Sequence, residues 1–117
     1  MGVNGQGVRI KAWGTTAANA NNKTVRLKFG AANILDTGAV ASNNETWYFE
    51  AEVFRTGGAT QDAIAFVSFF NGVITQAQIT NPAETLTGAV TVAVSGQNGT
   101  ANANDIVAEG LTVEYIS

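Results

Sequence analysis

The stretch DAIAFVSFFNGVITQAQIT, Asp62 to Thr80, decides the fold. Two runs rich in β-branched and aromatic residues flank Asn71-Gly72, and both of those residues tolerate the positive φ that a two-residue hairpin turn requires. The reading is therefore two antiparallel strands joined at Asn71-Gly72. Within the first, Ala63, Ala65, Val67 and Phe69 fall on one face, while Ile64, Phe66 and Phe70 fall on the other with only Ser68 polar. A strand that is apolar on both faces needs cover on both. One cover is the core of the domain. The other is a loop of the same chain or a second copy, because an open cluster of phenylalanines is an association liability. Ile64, Phe66, Phe69 and Phe70 are accordingly the candidate oligomer interface.

Working outward, the same period of two recurs along the chain. Val8, Ile10 and Ala12 alternate with Arg9, Lys11 and Trp13. Val25, Leu27 and Phe29 alternate with Thr24, Arg26 and Lys28, and these two runs read as a hairpin. Ala32 to Asp36 is a shorter strand, and Glu45 to Arg55 a long one with Trp47, Phe49, Ala51 and Val53 on one face. Ala89 to Ser95 places Val90, Val92 and Val94 inward, and Ile106 to Ile116 places Leu111, Val113 and Tyr115 on one face. No window shows helical spacing with caps except one possible turn at Pro82 to Leu86, where a proline suits the first helical position. About eight strands separated by Gly/Asn/Thr turns predict an all-β fold, an antiparallel two-sheet sandwich of jelly-roll type.

Composition bounds the rest. The 117 residues suit a single domain over 7–117, with residues 1–6 (MGVNGQ) as a flexible N-terminal arm. Charged residues are only 13% and the net charge is −3, which leaves no basic footprint for nucleic acid. No run of 18 apolar residues predicts a membrane span. All six basic residues (Arg9, Lys11, Lys23, Arg26, Lys28, Arg55) precede Thr56, while Asp62, Glu84, Asp105, Glu109 and Glu114 follow it. A two-layer β fold sets early and late strands side by side, so the two halves are expected to neutralise each other. With neither cysteine nor histidine, disulfides, thiolate ligands and Ser-His-Asp or Cys-His catalysis are excluded.

Two Ala/Asn tracts stand out, TTAANANNKT at Thr15 to Thr24 and GTANANDIV at Gly99 to Val107. Asn suits turns because its side chain mimics a backbone turn and it accepts left-handed φ, so both tracts read first as connections. As a recognition surface, Asn19, Asn21, Asn102 and Asn104 would act together with Trp13 and Tyr48, the aromatic residues giving a platform for sugars. Glu50 and Glu52 share a strand face at a spacing open to acid–base glycoside chemistry, but cross-strand pairing with Arg9, Lys11, Arg26 or Lys28 is the plainer reading. Asp105 beside Asn102 and Asn104 is a faint calcium candidate. Asn22, Asn44 and Asn98 each begin an Asn-x-Thr triplet, which an Asn/Thr-rich chain produces by chance. No phosphate-binding glycine loop occurs, and no cofactor is expected.

The ordered segments VRIKAWGTTAANANNKTVRLKFG, ILDTGA, WYFEAEVFRTGGATQ and NDIVAEGLTVEYI together resemble a β-sandwich module of virion proteins of tailed bacteriophages. The resemblance spans Gly7 to Ile116 and brings no catalytic residue with it. It implies a trimeric jelly-roll or tumour-necrosis-factor-like sandwich located on the virion. Its expected role is that of a non-enzymatic capsid decoration or head-fibre protein, or of a tail-fibre or needle knob that binds host glycan. Its expected partners are further copies of itself and the major capsid protein or another virion protein.

Overall fold

The computed structural model describes residues 2–69, 75–100 and 105–116. Among them are eight strands and no helix: β1 (Gly7–Thr16), β2 (Lys23–Phe29), β3 (Ala32–Asp36), β4 (Thr46–Gly57), β5 (Thr60–Phe69), β6 (Thr75–Thr80), β7 (Val92–Asn98) and β8 (Ile106–Ile116). They form two antiparallel sheets, one ordered β6-β5-β4-β1-β8 and the other β3-β2-β7. The pairs β1–β8, β2–β7 and β4–β5 are nested outside one another, as in a rolled-up jelly-roll hairpin. The additional β1–β4 ladder then gathers five strands into a single sheet.

Alternation explains the core. Ile10, Ala12, Trp47, Phe49, Ala51, Val53, Ala63, Ala65 and Val67 of the large sheet meet Val25, Leu27, Phe29, Ile34 and Leu35 of the small one. Ile34 and Leu35 are neighbours in sequence, yet both are buried. A register shift opposite Leu27/Lys28 leaves Ile34 as the extra residue of a bulge, which lets successive side chains turn inward. At the tip of that hairpin Gly30 has φ +61°, as a tight turn between Phe29 and Ala32 requires.

Two local expectations fail. β1 and β2 are not a hairpin: β1 lies between β4 and β8 and β2 between β3 and β7, so residues 17–22 cross from one sheet to the other. The apolar rows of these two strands bury themselves by facing across the core instead of lying side by side. Pro82 to Leu86 is not helical either. The amide of Glu84 donates to Gln61 Oε1 (3.0 Å), Gln61 Nε2 donates to the Glu84 carbonyl (2.8 Å), and Leu86 N donates to Gly58 O (2.9 Å). The pair that a helical turn would join, Pro82 O and Leu86 N, is thus spent elsewhere, Pro82 O accepting from the Gln61 amide (3.0 Å).

β5 and β6 pair antiparallel as expected, from Ala63↔Thr80 to Ser68↔Thr75. Their Asn71-Gly72 connection lies outside the described residues, as does Phe70. The early basic and late acidic segments meet at Arg9 on β1, which bridges Glu114 on β8 (3.6 Å); the other ion pairs among the described residues, Arg9 with Glu52 on β4 (3.2 Å) and Arg26 with Asp36 (2.9 Å), lie within the first half.

Candidate functional site

The outer face of the five-stranded sheet is the first candidate, because β5 brings to it the second apolar row seen in the sequence. Strand register sets the neighbours: Ile64 lies between Glu52 and Ile79, and Phe66 between Glu50 and Ala77. Among the described residues no loop or strand covers this row. Ile64 is 51% exposed, Phe66 38% and Ile79 75%, and a shallow depression lies between Ile64, Phe66, Glu50 and Glu52. Ile64 and Phe66 thus stand together as expected. Phe69 lies opposite Trp47 and shares its register parity with Val67, not with Phe66. Sequence reading missed Ile79, whose signal was its place in an Ala77-x-Ile79 row beside β5.

Further along the same face, Trp13 and Tyr48 are cross-strand partners, both partly exposed. The Trp13 indole lies over Gly110 of β8, where a Cβ would collide with the ring. Asn19 and Asn21 do not join these aromatic residues, because their side chains are used internally.

The first Ala/Asn tract wraps around a buried ammonium. Lys23, at the start of β2, is 1% exposed, and its Nζ donates to Asn19 O (3.1 Å), Asn19 Oδ1 (2.9 Å), Asn21 O (3.1 Å) and Ser42 O. Asn19 Nδ2 and Asn21 Nδ2 in turn donate to the two carboxylate oxygens of the buried Asp105, at 2.8 and 3.3 Å. Asp105 belongs to the second tract, as does Gly99, whose N donates to Asn22 O (2.8 Å), so the described residues of the two tracts form a hydrogen-bonded clasp. A buried charge is tolerable only when its hydrogen bonds are met. Short Asn side chains, each offering both donor and acceptor, meet them here. Asn102 and Asn104 lie outside the described residues.

The carboxylates are mostly engaged in structure. Glu52 holds Arg9, and Glu84 accepts from Ala31 N at the β2–β3 turn. Asp36 accepts from Gly38 N and from Arg26 Nε (2.9 Å), and these bonds, the backbone one first, hold its pKa below the ordinary 3.8. Among the described residues no group of three or more acidic side chains is placed to hold a metal. No helix among them is long and apolar enough to cross a membrane.

The face expected on β8 forms, but it is left open. Leu111, Val113 and Tyr115 share the inward side of β8, opposite Ala12, Ile10 and Val8, yet they are 43%, 49% and 55% exposed. The three-stranded sheet is too narrow to cover a five-stranded one, so β8 overhangs it. A groove of about 170 Å³ opens between β8 and β7, floored by Val8 and Phe29 and walled by Val92, Val113 and Tyr115. No family model, curated protein or solved structure matches this chain.

Proposed function

We propose that this chain is a non-enzymatic structural protein of a phage particle, a capsid decoration or head-fibre sandwich that works by binding further copies of itself. The observation that carries the self-association is the uncovered row of Ile64, Phe66 and Ile79 on the outer face. Covering a half-exposed aliphatic or aromatic side chain contributes about 1 kcal/mol, and clustered apolar side chains on a low-charge surface support an interaction site there. The assignment to a virion rests on the ordered motifs from Val8 to Ile116 alone. A threefold assembly follows from the same resemblance.

Light scattering across a hundredfold concentration range tests the first part. A mass above that of one chain is expected, with reduction toward 12.1 kDa in Ile64→Lys and Ile79→Lys variants whose circular dichroism is unchanged. A wild-type monomer at every concentration refutes it. Antibody labelling of purified virions tests the second part: absence from particles with association intact removes the virion assignment and leaves the assembly. A glycan-binding knob is the second reading, favoured by the cross-strand pair Trp13 and Tyr48. Binding on a glycan array that is lost in Trp13→Ala would promote it.

A further inference from the structure

We infer that β8 is a second, independent assembly surface, at which two copies pair their β8 strands antiparallel across a twofold axis through Val113. β8 ends the large sheet and pairs on one side only, with β1. Among the described residues it is, at eleven, the longest edge strand, against five for β3, six for β6 and seven for β7. Exposed edges are normally guarded by shortness, by charged residues (lysine above all), by proline or by a bulge. β8 has no lysine and no proline; its bulge, at Glu109, lies before the stretch Gly110 to Ile116, and the one charge within that stretch, Glu114, is bridged by Arg9.

The order of residues along β8 selects the register. Antiparallel partners share a face, so the row Leu111, Val113, Tyr115 must meet itself. Pairing centred on Val113 sets Leu111 opposite Tyr115 of the other copy and Thr112 opposite Glu114, so every member of that row has an apolar partner and no like charges meet. Centring on Glu114 would oppose two carboxylates. Centring on Thr112 would set Tyr115 against Glu109 and Glu114 against Gly110. The Val113 register also extends the inward row beyond the narrow small sheet, so the second copy's Leu111 comes to lie beside Tyr115 at the mouth of the β7–β8 groove. The occupant of this overhang is therefore a second copy of the chain, and an isologous contact of this kind closes on itself. Three partly exposed side chains per copy fall short of the roughly 800 Å² per partner of a standard interface, so the pairing is concentration-dependent. It uses neither Ile64 nor Phe66, and stands whether or not the outer face self-associates.

The cysteine-free background makes the register directly testable by oxidative cross-linking. Val113→Cys is expected to give a covalent dimer on a non-reducing gel, because the two residues oppose each other. Leu111→Cys is expected to give at least tenfold less, since four residues separate the two copies, roughly 13 Å along the strand, beyond disulfide reach. If Val113→Cys does not fold, an equimolar mixture of Thr112→Cys and Glu114→Cys chains replaces it. That mixture should cross-link where neither chain does alone. Equal yields from Val113→Cys and Leu111→Cys, or no cross-link at millimolar chain, overturns the pairing. Testing in an Ile64→Lys background separates its failure from that of the outer-face contact.

Discussion

Replacing Lys23 with Met keeps the aliphatic stem and removes the ammonium around which the first Ala/Asn tract folds. Nζ carries three protons and has four oxygen acceptors within reach, three of them main-chain carbonyls. Each hydrogen bond from a charged donor contributes about 1.5–3 kcal/mol, and each buried acceptor left without a donor costs about 1–3 kcal/mol. Against this, the variant no longer has to strip water from a charge. The balance is a loss of about 3–5 kcal/mol, the usual range when one member of a buried polar group is removed. For a chain of this length total stability is about 6–18 kcal/mol, so the variant still folds, with a melting temperature lower by roughly 10–20 °C. Urea unfolding at pH 7 followed by the fluorescence of Trp47 and Trp13 measures it. Lys28→Met, on the partly exposed side of the same strand, serves as control with a change below about 0.5 kcal/mol. The clasp also predicts that Lys23→Met and Asn19→Ala are non-additive by about 1 kcal/mol or more. A Lys23→Met loss below about 1 kcal/mol, or strict additivity with Asn19→Ala, refutes the view that this ammonium organises the loops.

Gly14→Ala is expected to cost about 3 kcal/mol or more, because its Cβ would meet the Val107 carbonyl and the buried Trp47 ring. Gly110→Ala, which meets only the partly exposed Trp13 ring, should cost nearer 1 kcal/mol, and calorimetry of the pair checks the contrast. Gln61→Leu removes both hydrogen bonds to the Glu84 backbone and should cost about 2–3 kcal/mol, with amide exchange quickened at Glu84 and Leu86. The folded pKa of Asp36 lies below its unfolded value of about 3.8, so its contribution is present above that pH and is lost as pH falls through the folded value. Asp36→Asn should therefore flatten the stability-versus-pH curve below about pH 4, read by thermal melts at stepped pH.

The strands were legible because period-two alternation is local: the rows from Val8, Val25 and Trp47 specify a buried face without reference to any partner. Pairing was less so. Nothing in Val25-x-Leu27-x-Phe29 says whether that row lies beside Ile10 or across the core from it, since either arrangement removes it from water. Lys23 escaped notice because a lysine is ordinarily at the surface, and its burial depends on Ser42 and on the turn at Asn19, which come together only in the folded chain. Of the candidate interface, Ile64 and Phe66 could be read from β5 alone. The exposure of Leu111, Val113 and Tyr115 could not, because it follows from the unequal widths of the two sheets. The first Ala/Asn tract is a connection, as read, yet composition alone does not reveal that Asp105 is tied to it.

Because β1 sits between β4 and β8, its far ladder joins Gly7 to Ile116, nearly the whole span of the polypeptide. During synthesis, at roughly 5–20 residues per second, the first strand emerges many seconds before its last neighbour exists. Topologies dominated by such distant pairings fold in milliseconds to seconds, slower than helical chains of similar size. The nascent chain therefore carries VRIKAW half-paired until translation has passed Tyr115, and arrest before that point should leave a protease-sensitive species with one side of β1 bare.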